Sequence, residues 1–220
     1  FGIEFSSTVL YNNTRSYCLV VYKMKIYFDG DSWTFGAEVE LQERFSYLLS
    51  NYYNAEECNV SVGGASNNRI ARQSLVEYNI SDYDLAIIQL TFPSRFEWYV
   101  NDKWFQVRVS RERGCKENWI KNYIFDFYEK IYTEKYGNVY EKLFATSIRS
   151  HCKANNVPLI LMTNRGVYPD KYPTTYSMTE FDVHLEDLNL PRSKHRHPSS
   201  EAHQIIFKTL RNIIDEKDLL

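Results

Sequence analysis

Gly30, Asp31 and Ser32 stand where this sequence could place a serine nucleophile. A short apolar run from Ile26 to Phe28 ends just before them, and a pattern typical of a helix begins soon after. A hydroxyl at this point would lie on a sharp turn at the carboxyl end of a buried strand, where open α/β sheets carry their active sites. The free N–H groups and the positive dipole end of a helix N-terminus would favour a developing oxyanion. The segment predicts acyl transfer through Ser32, provided that the chain supplies a base.

Three more polar clusters follow predicted strands or precede the last predicted helix. They are residues 63–69 (Gly-Gly-Ala-Ser-Asn-Asn-Arg), residues 89–95 (Gln-Leu-Thr-Phe-Pro-Ser-Arg) and residues 195–203 (His-Arg-His-Pro-Ser-Ser-Glu-Ala-His). Because the carboxyl ends of parallel strands share one edge of a sheet, we expect the clusters to converge on Ser32. His197 is the candidate base, whereas His203 lies within the last predicted helix and is expected to be a packing residue.

Strands and helices alternate along the predicted secondary structure. Strands are predicted at residues 26–28, 59–62, 84–90 and 157–163, helices at 37–51, 66–78, 117–134, 139–155 and 199–216, and a long loop at 92–114. This alternation predicts a parallel sheet with right-handed crossovers. The fold class is therefore α/β, a three-layer α/β/α doubly wound parallel sheet of the flavodoxin type.

Length and composition favour one globular domain. The chain has 220 residues, of which 44% are hydrophobic and 25% charged, enough to bury a sizeable core. A net charge of −2 argues against a nucleic-acid partner. No apolar run reaches the roughly 20 residues of a membrane helix, and no signal peptide is recognisable. We expect a cytoplasmic protein with residues 1–23 as an appendage or edge strand and residues 24–220 as the functional domain.

Four cysteines are irregularly spaced and form no C-x-x-C pair, which favours free thiols in a reducing compartment over a metal or redox site. His195, His197 and His203 also fit no common metal-ligand spacing, so no metal is expected.

The same residues resemble the sequence blocks of the GDSL/SGNH hydrolases. The Gly-Asp-Ser tripeptide at residues 30–32 is similar to the first block of that family, Gly64 to the glycine of the second block, and His197, followed by proline, to the histidine of the last block. Order and spacing match over about residues 24–210, most closely to small members from phage and environmental sequences.

The resemblance implies a serine ester hydrolase that forms an acyl-enzyme on Ser32 and needs no cofactor. His197 would take the serine proton and return it to the leaving alcohol. The backbone N–H groups of Ser32 and Gly64 would bind the oxyanion. The implied substrate is a small-molecule or carbohydrate ester, with a carbohydrate O-acetyl group as one candidate.

The third oxyanion donor is open, because the Gly-x-Asn-Asp block of the family is absent. Gln89, Leu90, Thr91 and Phe92 stand in its place. Asn67 from the second cluster is the favoured donor, with Gln89 and Thr91 as alternatives.

The group that orients the histidine is also open. The family has an aspartate three residues before its histidine, but this chain has Lys194, which cannot accept an imidazole N–H. Asp182, Asp187, a backbone carbonyl or a Ser–His dyad without a third member are the alternatives. A carboxylate within reach of the far nitrogen of His197 would favour an enzyme.

Arg69, Thr91 and Arg95 are candidate substrate-binding residues, although an ion pair is the simpler expectation for an arginine. Two other classes of function compete with the esterase. One is a catalytically degenerate protein of the same fold that binds a glycan or acyl group without turnover. The other is a nucleotide-binding protein, which the lack of a G-x-G-x-x-G or P-loop motif disfavours.

Overall fold

The computed structural model describes residues 23–108, 118–164 and 181–220. The predicted appendage or edge strand at residues 1–23 lies outside these ranges except for Lys23. Cys58 and Cys152 are free thiols, and the other two cysteines fall outside the described residues. Across the three ranges, no helix combines the length and apolar character needed to cross a membrane.

Seven strands lie within the described ranges. They are β1 (Lys25–Asp29), β2 (Glu56–Asn59), β3 (Leu85–Leu90), β4 (Phe96–Val100), β5 (Lys103–Val107), β6 (Leu159–Thr163) and β7 (Val183–His184). Five of them form one sheet in the order β2-β1-β3-β6-β7, in which every neighbouring pair is parallel. Strands β4 and β5 form a separate antiparallel hairpin.

Six α-helices accompany the strands in the described part of the chain. They are α1 (Ser32–Phe35), α2 (Phe45–Tyr52), α3 (Asn67–Arg72), α4 (Asn118–Asp126), α5 (Glu134–Ala154) and α6 (Ser200–Lys217). Helices α3 and α4 continue into single π-helical turns at Gln73–Glu77 and Phe127–Ile131.

Alternate residues of β1 belong to different core clusters and show which helices cover each face of the sheet. Ile26 and Phe28 belong to one core cluster together with residues of α2 and α6, whereas Tyr27 belongs to a second cluster with residues of α3 and α5. All six residues of β3 are buried, as expected for a parallel strand with helices on both faces. The predicted three-layer α/β/α doubly wound fold is therefore confirmed.

Several elements differ from prediction: strand β7 was not predicted, α5 begins five residues earlier than expected, and three further differences follow. The predicted loop at residues 92–114 contains the β4–β5 hairpin, whose aromatic residues pack on the helix α4 region rather than on the main sheet. The second strand lies at Glu56–Asn59, three residues earlier than expected, because the Asn59 side chain accepts the Ser61 N–H at 3.1 Å and turns the chain there. The predicted helix at residues 37–51 shortens to α2, since Glu38 has a left-handed φ of 72° that interrupts any helix.

Candidate active site

Ser32 is the first residue of α1, directly after β1. Asp31 is the N-cap, and its side chain accepts the Trp33 N–H at 3.0 Å. Gly36, in a left-handed conformation, ends α1 after one turn. The Ser32 side chain is half-buried, and its hydroxyl forms no hydrogen bond with any described residue, His197 included. The hydroxyl therefore lies at the carboxyl edge of the sheet.

The buried Asp31 carboxylate accepts hydrogen bonds from residues at the ends of two neighbouring strands, β3 and β6. Gln89 Nε2 donates to Oδ1 at 3.1 Å, while Thr91 Oγ1, Arg95 Nη1 and Asn164 Nδ2 donate to Oδ2 at 2.8, 2.7 and 3.2 Å. Burial alone would raise the pKa of Asp31, but the Arg95 charge and these hydrogen bonds outweigh it and hold the pKa below its usual range. The ionised carboxylate fastens the Ser32 turn to the ends of β3 and β6.

Gly64 lies in a tight turn beside the Ser32 turn. The Ala65 N–H closes this turn on the Val62 carbonyl at 3.1 Å, and the Val62 N–H donates to the Gly30 carbonyl at 3.4 Å. Gly64 has a φ of 75°, and a Cβ there would overlap the guanidinium of Arg108, whose Nη2 donates to the Gly64 carbonyl at 2.6 Å. Only glycine fits this position without rearrangement. The oxyanion role of the Ser32 and Gly64 N–H groups stays a prediction.

The side chain of Asn67, the favoured third oxyanion donor, forms two hydrogen bonds with the backbone of Thr91. Its Nδ2 donates to the Thr91 carbonyl at 3.0 Å, and its Oδ1 accepts the Thr91 N–H at 2.7 Å. This pair of bonds joins the start of α3 to the end of β3. An amide nitrogen carries two hydrogens, and the second one of Asn67 forms no hydrogen bond within the described part of the chain.

The three residues expected to contact substrate have partners inside the protein. Arg69 Nη1 lies 3.0 Å from Asp29 Oδ1, and its Nη2 donates to the Val60 carbonyl at 2.7 Å. Thr91 and Arg95 both bind Asp31, and they also bind each other at 2.8 Å. Both arginines thus form internal ion pairs, and Thr91 and Arg95 bind the carboxylate of the Ser32 turn. A role of the three residues in substrate binding stays a prediction. Burial raises the pKa of Asp29 to about 7 against the opposing charge of Arg69.

His197 sits at the end of a tight turn that packs on α1. The Ser193 N–H donates to the His197 carbonyl at 2.8 Å, the His197 N–H donates to Ser193 Oγ at 3.1 Å, and the Arg196 N–H donates to the Ser193 carbonyl at 3.0 Å. The Arg192 guanidinium lies over the Trp33 ring, 4.6 Å from its centre. These contacts hold the histidine loop (residues 192–198) against α1, the helix that begins with Ser32.

A carboxylate also approaches His197, and it comes from Glu38. Nδ1 of His197 lies 3.2 Å from Glu38 Oε2, although the N–H does not point straight at that oxygen. Glu38 also accepts a short hydrogen bond from Ser193 Oγ. His195 Nε2 lies 3.6 Å from the other carboxylate oxygen.

Asp182 and Asp187, the carboxylates predicted to orient His197, lie in other surroundings. Asp182 Oδ2 accepts the Leu161 N–H and Arg149 Nη2, both at 2.9 Å. Asp187 forms no ion pair with any residue in the described ranges. Neither carboxylate contacts His197 within the described ranges, and the prediction that one of them orients its ring stays a prediction. Glu38 was overlooked, and the only clue was its position two residues after Gly36.

His203 is a packing residue, as predicted. Its ring stacks on Phe45 with centroids 5.8 Å apart, and its Nδ1 accepts the Phe45 N–H at 3.3 Å. Burial lowers the pKa of His203 to about 4. Its side chain therefore joins α2 to α6 and takes no part in the site.

Comparison with known proteins identifies relatives in structure only. No protein-family model and no curated protein matches the sequence. Among solved structures, a protein assigned to the G-D-S-L family of lipolytic proteins from Desulfitobacterium hafniense has a TM-score of 0.52 at 11% identity, covering 87% of this chain and 99% of the other. TesA has a TM-score of 0.53 at 12% identity, covering 90% and 100%. The psychrotrophic esterase EstA from Pseudoalteromonas sp. has a TM-score of 0.50 at 14% identity, covering 87% and 97%. At these identities the similarity shows the fold.

Proposed function

We propose that this chain, which has the fold of the GDSL/SGNH hydrolases, is a serine ester hydrolase that acts through an acyl-enzyme on Ser32. The main support for the proposal is that the histidine loop packs on α1. Arg192 packs on Trp33, and Glu38 contacts both Ser193 and His197. These contacts support the proposal because they hold the loop of the candidate base against the helix that begins with the candidate nucleophile.

The reaction follows from the roles proposed for these groups. Ser32 Oγ attacks the ester carbonyl carbon while its proton passes to Nε2 of His197. The N–H groups of Ser32 and Gly64, with the remaining amide N–H of Asn67, bind the oxyanion, and each such donor is worth roughly 10²–10³ in rate. The imidazolium then protonates the leaving alcohol. Water then attacks the acyl carbon while His197 takes its proton; the bond from that carbon to Ser32 Oγ breaks, the acid leaves, and His197 returns the proton to Ser32 Oγ.

The proposed substrates are acyl esters with a small acyl group, among them O-acetyl groups on carbohydrates. None of the proposed steps calls for a metal or an organic cofactor. A simple chromogenic acetate ester is therefore sufficient to test the chemistry, and an acetylated oligosaccharide tests the carbohydrate preference.

The test is hydrolysis of p-nitrophenyl acetate by the wild type, Ser32→Ala and His197→Ala. Removing either group eliminates the nucleophile or its base, so kcat should fall by about 10³-fold or more in each variant. Ser81→Ala is the matched control, because Ser81 is exposed and bonds only Asn79 within the described residues.

Hydrolysis by Ser32→Ala at the wild-type rate would contradict the proposal. A folded wild type that binds acetylated sugars without hydrolysing any ester would support the degenerate binding protein instead.

A further inference from the structure

Glu38 adopts a backbone conformation that a glutamate rarely takes. Its φ of 72° lies in the left-handed region, which is strained for a residue with a Cβ and is otherwise left to glycine, asparagine or aspartate. Such outliers persist where surrounding contacts impose them, and they concentrate at functional sites. The contacts of the Glu38 side chain therefore indicate why this backbone conformation is kept.

Among the described residues, the Glu38 side chain contacts the histidine loop. Oε2 receives the Ser193 hydroxyl hydrogen bond and lies 3.2 Å from His197 Nδ1, while Oε1 lies 3.6 Å from His195 Nε2. The left-handed turn thus carries a carboxylate from the segment after α1 to a loop about 155 residues further along the chain.

The two nitrogens of His197 have different surroundings. Nδ1 is shielded from solvent and has no fully aligned hydrogen-bond partner, although 30% of the side chain is exposed. Shielded polar atoms in proteins normally have a partner, and Glu38 Oε2 is the acceptor within reach. A small rotation of the ring would align the bond, as catalytic contacts commonly tighten only when substrate binds.

We infer that Glu38 is the positioning residue for His197, taking the part of the aspartate whose place is occupied by Lys194. The inference rests on the proposed function, since it concerns the base of that reaction. Glu38 holds the tautomer with the proton on Nδ1, which leaves Nε2 bare to accept the Ser32 proton.

The proton balance needs no transfer to Glu38. The Ser32 proton moves to Nε2 and then to the leaving alcohol, while the Nδ1 proton stays where it is throughout. The carboxylate must be ionised to do this. The Ser193 hydrogen bond, together with the His197 and His195 contacts, lowers the pKa of Glu38 against the opposing effect of burial.

The first arm of the test measures the tautomer rather than activity. ¹⁵N NMR of the imidazoles at pH 8 should show His197 protonated on Nδ1 in the wild type, with the resonance assigned by its loss in His197→Gln. In Glu38→Ala the neutral ring should shift towards the tautomer protonated on Nε2. Glu201→Gln, which removes an exposed glutamate four residues from His197, should leave the wild-type tautomer.

The second arm is steady-state kinetics on the same variants. Glu38→Ala should lose about 10²- to 10⁴-fold in kcat with KM changed by less than about threefold, because only the transition state depends on the oriented base. Glu201→Gln should keep both constants.

Each outcome has a separate meaning. An unchanged His197 tautomer in Glu38→Ala would overturn the inference whether or not the wild type is an esterase. An inactive wild type whose tautomer responds to Glu38→Ala would overturn the proposed function and leave the positioning role standing.

Discussion

The Asp31 carboxylate accepts five hydrogen bonds in the described structure, from the Trp33 N–H, Gln89, Thr91, Arg95 and Asn164. A buried ion pair gives little net stability, yet removing one partner leaves the other charge buried and uncompensated. The carboxylate is therefore most important for geometry: it fixes the turn on which Ser32 stands.

Replacing Asp31 by alanine should destabilise the whole protein. Arg95 would lose its ion-pair partner and four uncharged donors would lose their acceptor, so the free energy of unfolding should fall by about 3–5 kcal/mol. Urea denaturation measures the change.

Asp126→Ala provides the comparison, because Asp126 forms an exposed i,i+4 pair with Lys130 and should cost less than about 1 kcal/mol. Equal effects of the two substitutions would show that Asp31 is not the anchor of the turn.

The sequence identified some of these residues and not others, for a physical reason. Ser32, Gly64 and His197 could be singled out because each follows a recognisable strand or precedes a helix, where residue type and order are informative. Glu38 could not, since its importance depends on a left-handed φ and on meeting a distant loop. The partners of Arg69 and Arg95 could not be predicted for the same reason: Arg69 binds Asp29 at the end of β1, and Arg95 binds Asp31 just after it.

Turns at the ends of strands set the geometry of the site more than the regular elements do. The turn after β2 brings Gly64 beside the Ser32 turn through the bond from the Val62 N–H to the Gly30 carbonyl. The two adjacent glycines of this turn have different requirements. Gly64 has a positive φ and packs against Arg108, whereas a Cβ on Gly63 would meet nothing within 4 Å.

Gly64→Ala should therefore damage the site while Gly63→Ala spares it. The alanine at position 64 would strain the backbone by roughly 1–2 kcal/mol and displace Arg108, moving the N–H proposed to bind the oxyanion. We expect at least a tenfold loss of kcat on p-nitrophenyl acetate, with the melting temperature recorded alongside. Similar kinetics for the two variants would remove Gly64 from the proposed oxyanion site.

Secondary structure could be predicted where one strong pattern decided it. The apolar run of β3 and the helical spacing of α6 were both predicted within about two residues, because burial on both faces and a regular apolar stripe leave few alternatives. The β4–β5 hairpin was missed, since its aromatic and charged residues alternate without the continuous apolar run of the central strands.

The strand order places the three site clusters side by side. In the sheet β1 lies between β2 and β3, so the segments that follow these three strands meet at one edge. Chain connections depart in opposite directions from this point, and doubly wound sheets bind their ligands there. The alternation of strands and helices was enough to predict that the clusters share one edge, whereas the strand order was not predicted. The last cluster, which holds His197, was expected at the same edge because it precedes the last helix, and the family resemblance then gave the role of His197.

Covalent labelling is the most direct test of Ser32 as the nucleophile. The folded wild-type protein is treated with a fluorophosphonate probe, and the modified peptide is identified by mass spectrometry. We expect a single adduct on Ser32, formed at least about a hundredfold more slowly in His197→Ala because the base is gone. Labelling that persists at the wild-type rate in Ser32→Ala, or an adduct on another residue, would contradict it.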